Sequence, residues 1–166
     1  AHRLSGVNSI NWARIAAQSV YFAAAQAALG RNRKLRFVVP TGNFGDALAG
    51  YVAARMGLLN GLEILTAVNA NDAMVQLLDH GMLTRASTKP TLSPAMDIQV
   101  PSNVERLIFE ASGRDPAAIR ALYGALAQAG SARLPDTLRG PLGCMGLSAI
   151  AVDDGATTAM IARYEP

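Results

Sequence analysis

A three-layer α/β fold on a parallel sheet is the architecture this sequence predicts, and three observations carry the prediction. Helix-like and strand-like segments alternate from about residue 10 to residue 81, the order expected of parallel strands joined by right-handed crossovers. The strand-like segments, 35–39 and 62–68, are near-continuous apolar runs, as expected when helices cover both faces of a sheet. Between them, Phe37-Val38-Val39-Pro40-Thr41-Gly42-Asn43-Phe44-Gly45-Asp46 joins a strand to a helix through a tight glycine loop.

Each element has a local reason. Asn8 or Ser9 is expected to cap a helix from Ile10 to Leu29, with Gly30 as its stop. Leu35–Val39 is the first strand. A helix from Asp46 to Met56 ends at Gly57, and Leu62–Val68 is the second strand. Asn71 or Asp72 begins a short helix that stops at Gly81, leaving His80 as a helix C-terminal residue. The segment 82–101 lacks periodicity, is rich in Thr, Ser and Pro, and reads as a long loop of the kind that is often functional. A helix from Ser102 or Asn103 to Ala111 follows. Asp115-Pro116 is an N-cap and first-turn pair for another helix, towards Ala129. Residues 140–146 read as a loop, and Asp153-Asp154 opens a last helix. The organisation is therefore an α/β phosphate-seat unit (1–81), a long loop (82–101) and a mainly helical part (102–166). Trp12, Met74, Met82 and Met96 are expected in the core.

Bulk composition excludes several classes. A chain of 166 residues suggests one domain or most of one. With 51% hydrophobic and 16% charged residues it is apolar for a freestanding domain, which suits a piece of a larger enzyme with part of its surface covered. No apolar run approaches the roughly 18 residues of a membrane span. The net charge of +3 is mild, and the basic cluster 31–36 has no interleaved aromatics, so neither nucleic acid nor membrane is an expected partner. The single cysteine, Cys144, rules out an internal disulfide and a cysteine-based zinc cage. His2 and His80 have no metal-ligand spacing. Cytoplasmic residence is the default expectation.

The glycine loop carries the chemistry. A strand feeding such a loop at a helix N-terminus aims unpaired N–H groups and the positive end of the helix dipole at one point, which is an anion seat. A Walker A loop needs Lys-Ser/Thr after its last glycine, and Asp46-Ala47 is not that. The dinucleotide fingerprint needs Gly-x-Gly-x-x-Gly, whereas Gly42 and Gly45 are spaced Gly-x-x-Gly. A phosphate-bearing ligand of another kind is expected. A side chain at Gly45 is expected to intrude on that phosphate, and Asp46 to cap the helix.

Three further strings sit around the loop: 8–15 (Asn-Ser-Ile-Asn-Trp-Ala-Arg-Ile), 91–98 (Thr-Leu-Ser-Pro-Ala-Met-Asp-Ile) and 101–107 (Pro-Ser-Asn-Val-Glu-Arg-Leu). In this order, with 39–46 and 67–72 between them, they resemble threonine synthase, in the longer branch found in proteobacteria and fungi. The resemblance covers nearly the whole chain, is clearest from Gly6 to Ser112, and thins after Leu134. It implies the fold of the tryptophan synthase β-subunit and pyridoxal 5′-phosphate (PLP) as cofactor. The implied reaction converts O-phospho-L-homoserine and water into L-threonine and phosphate, with PLP as electron sink. In that family the glycine loop grips the cofactor phosphate, which carries over to Gly42, Asn43, Phe44, Gly45 and Asp46.

The resemblance also marks candidates for substrate contact. Ser9 and Asn11 are two, with helix capping as the alternative. Asn103 and Arg106 are two more, since arginine suits bidentate oxyanion recognition; the alternative is a surface arginine one turn into a helix. Ser93 and Asp97 are the last pair, with a locally hydrogen-bonded turn as the alternative. No catalytic residue is expected in this chain. Neither of its two lysines, Lys34 and Lys89, matches the family's Schiff-base lysine motif, which belongs upstream. A Pro-His-Thr-Ala-like segment near the cofactor ring belongs downstream of Pro166. The chain is expected to be an internal segment, inactive alone, whose partner is the rest of the same enzyme. Two alternatives stand beside this: another lyase or dehydratase of the same PLP fold, and a non-catalytic remnant that binds a phosphate ligand.

Overall fold

The computed structural model describes residues 8–165, so the expectations that fall on His2, Gly6 and Pro166 lie outside the described residues. In chain order the elements are α1 (Trp12–Leu29), β1 (Phe37–Pro40), α2 (Gly45–Arg55), β2 (Ile64–Val68), α3 (Ala73–His80), β3 (Met82–Thr84), α4 (Val104–Ala111), α5 (Pro116–Ala129), β4 (Ser131–Arg133), α6 (Asp136–Gly143), β5 (Leu147–Ala151) and α7 (Asp154–Tyr164). Strands β1, β2 and β5 form one parallel sheet in that order, with Val39 opposite Thr66 and Thr66 opposite Ala149. Strands β3 and β4 make a separate antiparallel pair centred on Leu83 and Ala132.

The core lies where α1 packs on α2, where α2 meets β2, and where α4 packs on α5 and α6. Phe22, Ala47, Leu48, Ile64, Met74, Leu77, Leu107 and Ile108 are all buried. Helices α1 and α2 approach β2 closely because position 50 carries no side chain. A Cβ on Gly50 would stand 2.6 Å from both Phe22 Cε1 and Ile64 Cδ1, closer than packed atoms tolerate.

Several local expectations are corrected. Helix α1 starts at Trp12, not Ile10, because Asn11 has the extended backbone of a cap and its Oδ1 accepts the Ala13 N–H at 2.9 Å. Asn8 instead closes a preceding turn, accepting the Ile10 N–H at 3.2 Å. Trp12 is not core: it is 54% exposed. Met74 is buried, whereas Met82 and Met96 are only partly so. Strand β1 is covered on one face only, with Val38 62% exposed. Pro40, which has no N–H to offer, sits at the end of this outer edge strand, where its missing donor costs least.

The segment 82–101 is not entirely loop. It begins with β3 and contains a 3-10 turn at Pro94–Met96. Residues 140–143, expected in a loop, close helix α6, whose Leu138 and Leu142 are buried four residues apart despite Pro141. Among the described residues no helix is long and apolar enough to cross a membrane, and no group of three potential metal ligands occurs.

Candidate functional site

The glycine loop stands between the C-terminal end of β1 and the first turn of α2. Phe44 has φ +62 and ψ 16, the left-handed region that non-glycine residues rarely visit. Its ring, 1% exposed, is anchored in the core and holds the backbone there. A left-handed residue followed by a helical one turns successive N–H groups toward a single concavity, a nest suited to an anion. From Gly42 to Ala47, no backbone N–H donates to another described residue. Six donors beside the positive end of α2 are therefore left without a partner among the described residues. A phosphate group matches this donor set, so the residues present fit the cofactor the sequence suggests.

Of the two loop glycines, Gly42 is the one that packing requires. A Cβ on Gly42 would meet Ala95 O at 3.1 Å and Met96 Cα at 3.2 Å, so the 3-10 turn lies flush on the loop. A Cβ on Gly45 would point at Asn103 Nδ2 and Ser9 O, both 3.5 Å away. This corrects the expectation that a side chain at Gly45 would strike the ligand. Its Cβ would make ordinary contact with the protein behind the loop.

Asp46 does not cap α2 either. It lies inside the first turn, the preceding cap residue is Phe44, and no side-chain cap bond forms. Its Oδ1 is buried with no partner among the described residues. Asp46 borders a shallow cleft with Tyr21, Phe22, Phe37, Val38 and Val39. Burial among these neighbours pushes its carboxyl above the ordinary aspartate range.

Two polar clusters flank the loop, one bonded to it and one bonded to the segment whose turn packs on Gly42. Behind it, the strings around Ser9, Asn43 and Asn103 converge. Asn43 Nδ2 donates to Ser9 Oγ at 2.9 Å. Asn103 Nδ2 donates to Ser9 O at 2.9 Å and to Asn43 O at 3.0 Å, while the Asn103 backbone N–H reaches Asn43 O at 3.2 Å. Arg106 donates to Asn103 Oδ1 and to Ile10 O, each at 2.7 Å, and its guanidinium lies 5.5 Å from the Trp12 ring centre. Asn103 is fully buried.

In front, Asp97 ties the long loop to the end of β2. Its Oδ1 accepts from Thr91 Oγ1 at 2.6 Å, Asn69 Nδ2 at 2.7 Å and Asn71 Nδ2 at 3.2 Å, and its Oδ2 accepts the Thr91 N–H at 3.1 Å. The Thr91 hydroxyl, helped by the Thr91 N–H and Asn69 and opposed by desolvation, holds the Asp97 carboxyl below the usual aspartate range. Asn71 binds Lys89 through both amide ends, at 2.9 Å to Lys89 O and 2.8 Å from Lys89 N. Ser93 enters through its backbone: its N–H donates to Thr91 Oγ1 at 3.1 Å.

Of the six substrate candidates, the structure joins Ser9, Asn103 and Arg106 with Asn43, and Ser93 with Asp97. Asn11 is occupied as the cap of α1. Sequence reasoning assigned no role to Asn69 and gave Asn71 or Asp72 only the start of α3, where Asp72 is the cap position without a side-chain bond and the Asn71 side chain turns to Lys89. The available signal was the alternation of Asn69 and Asn71 just past β2, since polar residues at the carboxyl ends of parallel strands line the crevice where ligands bind.

Comparison with known proteins decides the family. Threonine synthase from Pseudomonas aeruginosa is 44% identical over 135 residues, 81% of this chain and 29% of that protein. The crystal structure of PLP-bound threonine synthase from Brucella melitensis superposes with a TM-score of 0.85 at 43% identity, over 97% of this chain and 35% of that one. The chain is a threonine synthase relative. Yeast threonine synthase agrees, with a TM-score of 0.82 at 35% identity over 98% of this chain and 34% of its own. No family model matches. The chain spans about a third of the length of the threonine synthases it matches. Its α/β fold with a parallel sheet is that of threonine synthase over the matched part.

Proposed function

We propose that this chain supplies the cofactor-phosphate seat of a PLP-dependent threonine synthase acting in the cytoplasm on O-phospho-L-homoserine and water. One observation carries the reading. Six consecutive N–H groups, Gly42 to Ala47, donate to no described residue at a helix N-terminus, in a chain that superposes on a PLP-bound relative. Gly42, Asn43, Phe44, Gly45 and Asp46 hold the phosphate through their backbone, and the α2 dipole adds roughly half a positive charge. PLP, when bound, supplies the electron sink that stabilises negative charge at substrate carbons.

The chain's own part is to bind and orient. The turn at Pro94–Met96 packs against Gly42 and walls one side of the seat. Ser9 and Ser93 are proposed as the substrate contacts, because neither hydroxyl hydrogen finds an acceptor among the described residues. Asn11, Asp97, Asn103 and Arg106 hold backbone and one another. Lys34 and Lys89 are exposed, and Lys89 joins the Asn71 bonds through its backbone alone. No lysine of this chain therefore serves the cofactor, and the 166 residues alone are not expected to turn over. The exposed apolar surface, with Tyr21 at 65% and Val38 at 62%, suits cover by the rest of a longer enzyme.

Dialysis of the chain against PLP, pyridoxal and inorganic phosphate tests the seat. PLP is expected to bind, inorganic phosphate to compete, and pyridoxal to be lost. Equal retention of pyridoxal and PLP would overturn the assignment. Phosphate release from O-phospho-L-homoserine is expected only from a longer chain that includes an upstream lysine.

A further inference from the structure

The peptide plane between Asn43 and Phe44 is held from behind. A trans peptide points its C=O and its N–H in opposite directions. The Asn43 carbonyl accepts two bonds from one residue, 3.2 Å from the Asn103 N–H and 3.0 Å from Asn103 Nδ2. With that carbonyl fixed toward α4, the Phe44 N–H must face the opposite side, into the concavity. Holding it there has a cost, because Phe44 sits in the left-handed region, which disfavours side chains by roughly 1 kcal/mol or more. Ring burial anchors one end of the residue, and the doubly bonded carbonyl anchors the other.

The orientation of the Asn103 amide is itself determined. A carboxamide reads the same shape either way round, and only its partners decide which end is oxygen. Here Arg106, which can only donate, is 2.7 Å from one end. Two carbonyls, Ser9 O and Asn43 O, which can only accept, face the other. Arg106 is fixed in turn by Ile10 O at 2.7 Å and by the Trp12 ring. The chain of constraint runs from Trp12 and Arg106 to Asn103, and from there to the Asn43–Phe44 peptide.

We infer that Asn103 is a positioning residue for the phosphate seat, locking the Asn43–Phe44 peptide so that the Phe44 N–H faces the ligand, and that Arg106 sets the amide polarity this requires. The inference rests on the reading of the glycine loop as a phosphate seat. Under it, Arg106 acts on the ligand only through Asn103.

Asn103→Ala and Asn103→Asp, with Arg106→Gln, test this in the isotope-labelled chain. The Asp variant keeps the volume but places an oxygen against Ser9 O and Asn43 O. Two readouts are taken, the carbonyl 13C shift of Asn43 without ligand and the affinity for PLP against pyridoxal. Loss of both bonds is expected to move the Asn43 carbonyl shift. PLP affinity is expected to fall at least about tenfold, with the Asp variant worst and Arg106→Gln mildest. The far-ultraviolet circular dichroism and urea midpoint of the variants are expected to stay close to those of the parent, which separates lost positioning from lost folding. An unmoved Asn43 shift in folded Asn103→Ala would overturn the brace. So would PLP affinity within twofold of the parent. If the parent itself fails to prefer PLP over pyridoxal while the Asn43 shift still responds, the phosphate seat is wrong and the peptide lock stands.

Discussion

The two clusters that brace the glycine loop use different chemistry for similar work. Behind the loop, Asn103 and Arg106 hold backbone carbonyls with amide and guanidinium donors. In front, a carboxylate gathers donors: Asp97 binds Thr91, Asn69 and Asn71. The rear cluster acts on the seat directly, through the carbonyl of Asn43. The front cluster acts on a neighbour, seating the turn that lies on Gly42. Loss of the rear cluster should therefore appear first in ligand affinity, and loss of the front cluster first in stability. Only the front cluster contains a carboxylate, so acid should loosen the front before the rear.

The largest stability effect is expected from Asn71→Leu. Asn71 is 2% exposed and links Asn69, Asp97, Lys89 and Gln99 through one side chain. Leucine fits the volume but strands the Lys89 N–H and several acceptors. A loss of about 2–4 kcal/mol is expected, read as a lower midpoint in urea at unchanged slope. A loss below about 0.5 kcal/mol would mean that the front cluster does not hold the loop.

Asp97→Asn sharpens the contrast through pH. The folded-state pKa of Asp97 is depressed by the Thr91 hydroxyl. Its contribution is therefore present above the unfolded value, about 3.9, and is lost as pH falls through the lower folded value. Asparagine removes this dependence. The variant is expected to be less stable than the parent at pH 7 and to approach it as pH falls toward 2. A constant difference across that range would remove the carboxylate from the account.

Asp46 is expected to behave with the opposite sign. Burial raises its pKa, so its contribution is most favourable below about 3.9 and is lost as pH rises through the raised folded value. Asp46→Asn is expected to stabilise the chain by about 1 kcal/mol at pH 7 and by nothing at pH 3, as thermal melts would record. A destabilised variant at pH 7 would mean that Oδ1 finds a donor in solution.

The legible parts of the sequence were those where one local rule decided the structure. Asp115-Pro116 predicted the start of α5 to the residue, because the cap and the fixed proline φ act within one turn. Asp153 did the same for α7, and Gly81 for the end of α3. The strand–loop–helix junction at 37–46 was legible because the chemistry of its glycines is local. Strand β5 was missed. Its residues, Leu147-Ser148-Ala149-Ile150-Ala151, have weak strand preference and pair only with β2, more than 75 residues earlier in the chain. Helix α6 was hidden by Pro141 and its glycines, although buried Leu138 and Leu142 are four apart. The glycine loop was recognised, but its braces were not. Which carbonyl Asn103 binds depends on contacts across more than 90 residues, from Ser9 to α4.

Trp12 offers the finest cut between the clusters, because it touches the rear one only at its far end. The ring is 54% exposed, and the Arg106 guanidinium lies 5.5 Å from its centre. An exposed pair of this type is worth about 0.5–1 kcal/mol. Trp12→Ala is therefore expected to lose about that much through the contact, together with the burial of the covered half of the ring. Arg106 keeps its bonds to Asn103 Oδ1 and Ile10 O in the variant, so Asn103 keeps its polarity and PLP affinity should fall less than in Arg106→Gln. Trp12→Phe retains a π face and should recover most of the loss. If Trp12→Ala instead weakens PLP as much as Arg106→Gln does, the ring rather than Ile10 O is what aims the arginine, and the rear cluster begins at α1.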